Sequence, residues 1–394
     1  PASKQVDRNG AVGFPYGNKN PGRTAKCDYL YQNPTSLLHY FRDDPESIRI
    51  RDDASNMFAD ARRGISWDVA WIAYSKDEPV KLKKIYDIGS QKTRVFFAGP
   101  LSYQLAYRRA FGAALWRITE LHLHTPVRVG IKPTSLEWQS MAYAHLNISK
   151  NGFDSDMENW DGTVPIEFLR AMPRVYNIIY RRTDPSWEES HDTIRKTLHK
   201  PVEGATVIVR NKVLKLKQAM TSGFPGTAIE NSLINWMLFF LCWQRILAPI
   251  KPAFAHFDSF MKNCALSVFG DDNICSVAEP LSDYFHFNSF KREAANFGFK
   301  VTDAAKSGEQ MPNQRPFTEL EFLKRGFKFN GWLYIPALDK HSINKTLCWI
   351  NGKRPYEYAG KWRVNLDVAV FEESLRATLQ ELAFHGEEYY EQMC

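Results

Sequence analysis

The stretch Phe269-Gly270-Asp271-Asp272-Asn273 sits between two apolar, strand-prone runs. Ala265, Leu266, Val268 and Phe269 precede it, and Ile274, Cys275 and Val277 follow. That pattern predicts strand, tight turn, strand, with Gly270 at the bend. Two adjacent carboxylates at a hairpin tip repel each other, and a divalent cation would remove that cost. Hard oxygen donors of this kind suit Mg²⁺, which keeps waters and substrate phosphates as further ligands. Taken alone, the pentapeptide reads better as a solvated hairpin turn, because Asp is a good turn former. Its weight comes from its surroundings.

The chain has 394 residues, of which 44% are hydrophobic and 14% aromatic. This is enough for two or three structural units sharing large cores and excludes a disordered chain. A net charge of +7 points to an anionic partner, with a generally basic surface as the plain alternative. The six cysteines have no CxxC spacing, which argues against structural zinc and a secreted disulfide scaffold and fits a reducing compartment. The longest apolar run, Trp236 to Trp243, is too short to span a bilayer. No signal peptide is visible, and the chain opens on Pro1, so an excised or incomplete piece of a longer chain is expected.

Residues 1 to about 60 are polar and punctuated by Gly and Pro, with Gly13-Phe14-Pro15-Tyr16 as an ordered loop signal. Basic and apolar residues alternate from Val80 to Phe97, ending in the strand-like Val95-Phe96-Phe97. Leu101 to Ile118 reads as a helix, with Arg117 on a solvated face. Residues 145 to 155 lead as a strand into the acidic segment around Asp156. Pro165 suits a helix start, and Pro173 should kink or end that helix. Two strands, 206–209 and 213–216, flank Arg210-Asn211-Lys212. The small-residue loop Thr221 to Thr227 feeds a long helix to about Leu247. Phe287 to Asn296 is helical and stops at Gly298. Glu319 to Asn330 reads as a hairpin, and Val370 to Met393 as mainly helix. The expected class is α+β, with helices flanking an antiparallel sheet.

Asp156 and Asp161 lie five apart at the end of a predicted strand. A carboxylate there can face the acidic hairpin across a shared sheet, so that Asp156 and Asp271 form the paired acids of a two-metal site. A turn-capping Asp156 is an equal alternative on local grounds. Ser222-Gly223-x3-Thr227-x3-Asn231 combines a pliable loop, which lets backbone approach a ligand, with an amide one turn into a helix. Thr227 read alone is a helix cap.

The order Asp156-x4-Asp161, Ser222-Gly223-x3-Thr227-x3-Asn231, Gly270-Asp271-Asp272 resembles the palm of viral RNA-dependent RNA polymerases. It is most similar to those of the picornavirus order, among them the picorna-like positive-strand RNA viruses of insects and marine hosts. Lys76-Asp77-Glu78 and Lys92-Thr93-Arg94 resemble the family's basic fingers motif. Phe297-Gly298 through Thr302 to Lys306 resembles its lysine motif, and Phe322-Leu323-Lys324-Arg325 its primer-grip hairpin. The resemblance covers roughly residues 10 to 390. The chain departs from the family in having Phe269 where Tyr is usual and Ala11 where Ser or Thr precedes the Gly13 loop. It also has a longer segment between Lys84 and Lys92 and a short N-terminal part of the fingers.

The resemblance implies a right hand. Residues 1–145 and 184–216 would form the fingers, 146–183 and 217–330 the palm, and 331–394 the thumb. It implies that Asp156, Asp271 and Asp272 bind two Mg²⁺ ions, with Mn²⁺ as a substitute, and that Lys306 donates a proton to departing pyrophosphate. Asp161, Ser222, Gly223, Thr227 and Asn231 would read the ribose, and Lys92 and Arg94 would pair with the triphosphate. Phe322, Lys324 and Arg325 would support the primer. The implied partners are template and primer RNA, ribonucleoside triphosphates, a small protein primer and other viral replication proteins, at cytoplasmic membranes of the host. Two rivals stand beside this reading, a reverse transcriptase and a catalytically silent RNA-binding protein on the same scaffold. His385 and the other histidines show no ligand spacing, and Trp160 and Trp236 read as core.

Overall fold

A computed structural model describes residues 6–7, 10–19, 22–36, 38–76, 86, 94–302, 312–348, 356–358, 361–363 and 368–394. The acidic motif forms a hairpin of Cys264–Phe269 and Asp272–Val277, with Phe269 opposite Asp272. The two-residue turn needs a left-handed backbone at its first position, and Gly270 supplies φ +64°. Space is not the constraint there, since a Cβ on Gly270 would touch nothing within 4 Å.

This hairpin supplies two strands of a five-stranded antiparallel sheet. Its second strand pairs with Asn151–Met157, placing Phe153 opposite Cys275 and Ser155 opposite Asn273. The other edge of Asn151–Met157 carries Val301–Thr302 and Arg315–Pro316. A short parallel bridge, Val127 to Val268, extends the sheet on the far side. The hairpin strands are buried on both faces. Leu266, Val268 and Cys275 join the main core, whereas Ile274 joins a second cluster with Trp138, Phe317, Phe322 and Phe327. Two-sided burial explains why these strands read as continuous apolar runs rather than alternating ones.

The long helix Thr227–Leu247 and the helix Phe287–Asn296 cover the first of these faces. Their contact is aromatic. Phe239 stacks on Phe290 at 4.0 Å between ring centroids, with Phe153, Phe285 and Trp243 around them. Each such pair adds about 0.5–1.5 kcal/mol beyond area burial, enough to fix which way the helix lies on the sheet.

A second sheet holds, in order, Val95–Ala98, Ala70–Ser75, Thr206–Val209 and Lys212–Lys215. It is mixed, because Ala70–Ser75 and Thr206–Val209 run parallel. Two glycines dock it by close backbone approach. A Cβ on Gly223 would sit 2.0 Å from the Phe97 carbonyl oxygen, and one on Gly13 would sit 2.3 Å from that of Gly99. Phe97 N–H donates to the Ser222 carbonyl at 2.8 Å, and Leu101 N–H to that of Val12 at 2.9 Å.

Several expectations need correction. The polar N-terminal stretch contains a full helix, Pro45–Arg62, capped by the Asp44 side chain. Its apolar stripe is sparse, with Ile50, Ala54, Met57 and Ala61 buried. The helix Leu136–Leu146 precedes the central strand, which starts only at Asn151. Pro173 does not end its helix, which continues to Thr183 with Leu169, Met172 and Tyr176 buried on both sides of it. The hairpin expected at 319–330 is a tight turn, Phe322 to Arg325, followed by the hairpin Lys328–Phe329 with Tyr334–Ile335. The C-terminal helix breaks at Gly386 (φ +100°) into Val368–Ala383 and Glu387–Met393.

Phe239→Ala should cost about 3–5 kcal/mol, read as a lower urea midpoint at unchanged slope. A loss under about 1 kcal/mol would mean the aromatic cluster does not hold the helix on the sheet.

Candidate active site

Carboxylates from two distant parts of the chain, Asp156 with Asp161 and Asp271, come within electrostatic range of one another at the hairpin turn. Asp156 is the penultimate residue of the central strand, one step beyond the Ser155–Asn273 pair and so beside the turn. Thr302, on the neighbouring strand, reaches its carbonyl and its Oδ2 through Oγ1 at 3.3 and 3.4 Å. Asp271 occupies the turn itself. Burial pushes its carboxyl above the usual range, and the charges of Asp161 and Asp156 push it further, while Arg94 opposes them. The site therefore concentrates negative charge in a partly desolvated place, with one guanidinium acting against it. That arrangement favours a bound cation.

The turn is fastened from below by the long helix. Gly270 N–H donates to Ser232 Oγ at 2.8 Å, and Ser232 Oγ donates in turn to the Ala228 carbonyl at 2.7 Å. Asn235 Nδ2 donates to the carbonyls of Gly270 (3.0 Å) and Asp271 (3.1 Å). From the strand side, Asn273 Nδ2 reaches the Asp271 carbonyl at 2.9 Å, and Ser155 Oγ donates to Asn273 Oδ1 at 2.8 Å. Sequence reasoning missed Ser232 and Asn235. The signal was available, since both are polar positions on an otherwise apolar helix, one and four residues past Asn231.

Asp161 lies at the centre of a second network. Its Oδ2 accepts from Ser222 Oγ, and its Oδ1 accepts from Asn231 Nδ2 at 3.1 Å. Met220 N–H donates to its carbonyl at 2.7 Å. Asn231 Oδ1 is buried and has no hydrogen-bond partner among the described residues, which leaves an acceptor beside the carboxylates for a hydroxyl donor. Thr227 faces its own loop, donating to the Phe224 carbonyl at 2.8 Å and accepting from Gly223 N–H at 3.2 Å. It shapes that loop rather than facing Asp161.

The other expected site residues separate. The Asp272 carboxylate accepts from Leu323 N–H at 2.7 Å. Burial raises its pKa to about 7, with Asp271, Glu321 and Asp154 adding to the rise. Its hydrogen bond thus goes to the turn 322–325. Within that turn, Phe322 is fully buried against Trp138 and Phe327. Arg325 makes a bidentate pair with Glu381 at 2.7 and 2.5 Å and donates to the Pro336 carbonyl at 2.8 Å. Both side chains are mostly shielded from solvent. Lys324, at φ +59°, is the exposed member. Arg94 is exposed at the head of Val95–Ala98. Lys92 and Lys306 lie outside the described residues, as do Asp77 and Glu78. Trp160 is core, stacked on Phe299 at 4.8 Å, and Arg117 pairs with Glu120 at 3.4 Å on the surface.

Among the described residues, no group of three or more His, Cys, Asp or Glu is placed to hold a metal by itself. Two carboxylates with hard oxygen donors, each raising the other's cost, still fit Mg²⁺ as a partial ligand set.

The family model for viral RNA-dependent RNA polymerase matches residues 1–394. The genome polyprotein of Rice tungro spherical virus (strain A) is 27% identical over 407 aligned positions, covering 98% of this chain and 11% of the polyprotein. The RNA1 polyprotein of Arabis mosaic virus (isolate NW) is 31% identical over 276, covering 70% of this chain and 12% of the polyprotein. The replication polyprotein of Nora virus is 25% identical over 392, covering 99% and 17%. This chain thus spans a small part of each relative. The solved Sicinivirus 3Dpol RNA dependent RNA polymerase superposes with a TM-score of 0.75 at 18% identity, over 99% of this chain and 71% of that one. The fold is therefore the α+β right hand of that structure.

Asn235→Ala should raise amide hydrogen exchange in residues 270–273 about 5- to 30-fold, leaving protection of the long helix intact. Unchanged exchange in the turn would show that Asn235 does not fasten it.

Proposed function

The chain belongs to the viral RNA-dependent RNA polymerase family, and on that premise we propose that it joins ribonucleoside triphosphates on an RNA template. The observation that carries this is the meeting of Asp156 and Asp271 beside the Asp161–Ser222–Asn231 network. Acid for metal chemistry and polar groups for a sugar stand side by side.

Asp156 and Asp271 would hold Mg²⁺, or Mn²⁺ in its place. Two bound ions supply Lewis-acid activation of the primer hydroxyl and charge neutralisation on the triphosphate. The protein's own groups do the rest. Asn231 Oδ1 accepts from the ribose 2′-hydroxyl, while Asp161 and Ser222 hold its amide in place. A deoxynucleotide leaves that buried acceptor unpaired, which is how such a site rejects it. This network favours ribonucleotides over the substrate of a reverse transcriptase. Arg94, with Lys92, pairs with the triphosphate, where a planar guanidinium can bind two oxygens at once. Lys306 gives a proton to the departing pyrophosphate. Lys324 contacts the primer backbone, and Asp272 steadies the turn that presents it.

In this reading residues 1–145 and 184–216 are fingers, 146–183 and 217–330 palm, and 331–394 thumb. The partners are template and primer RNA, a small protein primer and other viral replication proteins, in the host cytoplasm at membranes. No helix among the described residues is long and apolar enough to cross a membrane.

Primer extension with Mg²⁺ tests the assignment. Asp156→Asn and Asp271→Asn should each lower incorporation at least about a thousandfold while leaving RNA affinity near the parent's. Retained turnover in both would refute it. Asp272→Asn still accepts from Leu323 N–H and should keep more than about a tenth of the rate. If it is as inactive as Asp271→Asn, Asp272 belongs with the metal ligands after all.

A further inference from the structure

Glu230 is an unexpected residue for its position. It lies in the first turn of the long apolar helix, immediately before Asn231, and is fully buried. An isolated buried carboxylate costs several kcal/mol, and a packed apolar side chain would often serve stability as well or better. This one is fully engaged. Its Oε1 accepts from Tyr107 OH, and its Oε2 meets His199 Nε2 at 3.1 Å. Tyr176, also fully buried, lies within electrostatic range of the same carboxylate.

The charges around His199 close the account. Its Nδ1 meets Glu203 Oε1 at 3.0 Å, and Glu203 is 3.8 Å from Arg170 Nε. Phe111 lies against the imidazole at 6.3 Å, and Tyr103, next to Tyr107, donates to the Leu198 carbonyl at 2.7 Å. Burial pushes the imidazolium down, but Glu230 and Glu203 outweigh it and hold the His199 pKa up at about 9. Two carboxylates thus face one imidazolium and one guanidinium, with the neutral Tyr107 as hydroxyl donor.

Geometry gives this cluster its reach. Tyr107 stands on Leu101–Glu120, which continues the strand headed by Arg94. Tyr176 and Arg170 stand on Ile166–Thr183, which follows Asp161. His199 ends Glu189–His199. Gly226 leaves the space for it, since a Cβ there would meet Tyr107 OH at 2.9 Å and Glu230 Oε1 at 3.1 Å. Adjacent helix residues point about 100° apart, so the helix is anchored at Glu230 on one side and presents Asn231 to Asp161 on the next.

We infer that Glu230 is a specificity-determining positioning residue: clamped by Tyr107 and His199, it fixes the helical turn carrying Asn231 and thereby sets the discrimination between ribo- and deoxyribonucleotides. This rests on the ribose reading given above. His199 gains a proton affinity on folding, so its contribution is complete below about 6.5 and is lost as pH rises through about 9.

The test is the ratio of kcat/KM for a ribonucleotide to that for its deoxy analogue, from pH 6.5 to 10, with thermal midpoints in parallel. Taking the ratio at each pH cancels effects common to both substrates. The parent ratio should hold to about pH 8 and fall roughly fivefold by pH 10, as expected for about 1 kcal/mol of lost positioning. Glu230→Gln should start about fivefold lower and stay flat. Tyr107→Phe, which removes one donor and no charge, should lose about two- to threefold and serves if Glu230→Gln fails to fold. A Glu230→Gln ratio equal to the parent's, or a parent ratio flat through pH 10, overturns the inference. No incorporation by the parent at all would instead overturn the polymerase reading beneath it.

Discussion

A helix holding a turn is the constraint on which everything else depends. Gly270 and Asp271 form a two-residue bend that must keep a carboxylate within electrostatic range of two others. Left to itself, such a bend would open toward water. Ser232 and Asn235 prevent that by engaging the bend's amide and both its carbonyls from the long helix. The aromatic contact of Phe239 with Phe290 then presses that helix against the sheet. The protein's own hydrogen bonds thus fix the acidic turn, which is the condition for electrostatic preorganisation.

The same helix serves two networks. One turn in, it presents Asn231 to Asp161, and just beyond that Ser232 and Asn235 grip the hairpin. The Asp161 network and the acidic turn are therefore held by one rigid element rather than two loops, and the spacing of their anchors is set by the helical rise. Backbone contact extends this rigidity to the neighbouring sheet. Phe97 N–H holds the Ser222 carbonyl, and Gly223 lies so close to Phe97 that no side chain would fit. Arg94, three residues before Phe97, is thereby positioned against the same frame.

Much of this was legible in the sequence, for local reasons. The acidic hairpin, the long helix after the small-residue loop and the helix Phe287–Asn296 follow from periodicity and glycine placement. The spacing of Asp161, Ser222 and Asn231 marked the polar network, and the structure brings the three together. What escaped depends on partners distant in the chain. Nothing near Asp272 announces Leu323 as its donor, and nothing near Arg325 announces Glu381, 56 residues on. Phe322 sits in a motif-like turn, yet its ring belongs to the cluster built on Trp138. The helix Pro45–Arg62 was overlooked because its buried stripe is thin and rich in alanine.

The pairing of Arg325 with Glu381 makes the last long helix a structural counterweight to the acidic hairpin. Glu381 neutralises a guanidinium that is itself mostly shielded from water. The two residues before Arg325 hold a left-handed backbone, and Leu323 in turn satisfies Asp272. Clipping the chain ahead of Glu381 would strand a buried cation beneath that bend, at a cost of several kcal/mol. The damage would surface far from the cut, at the acidic hairpin.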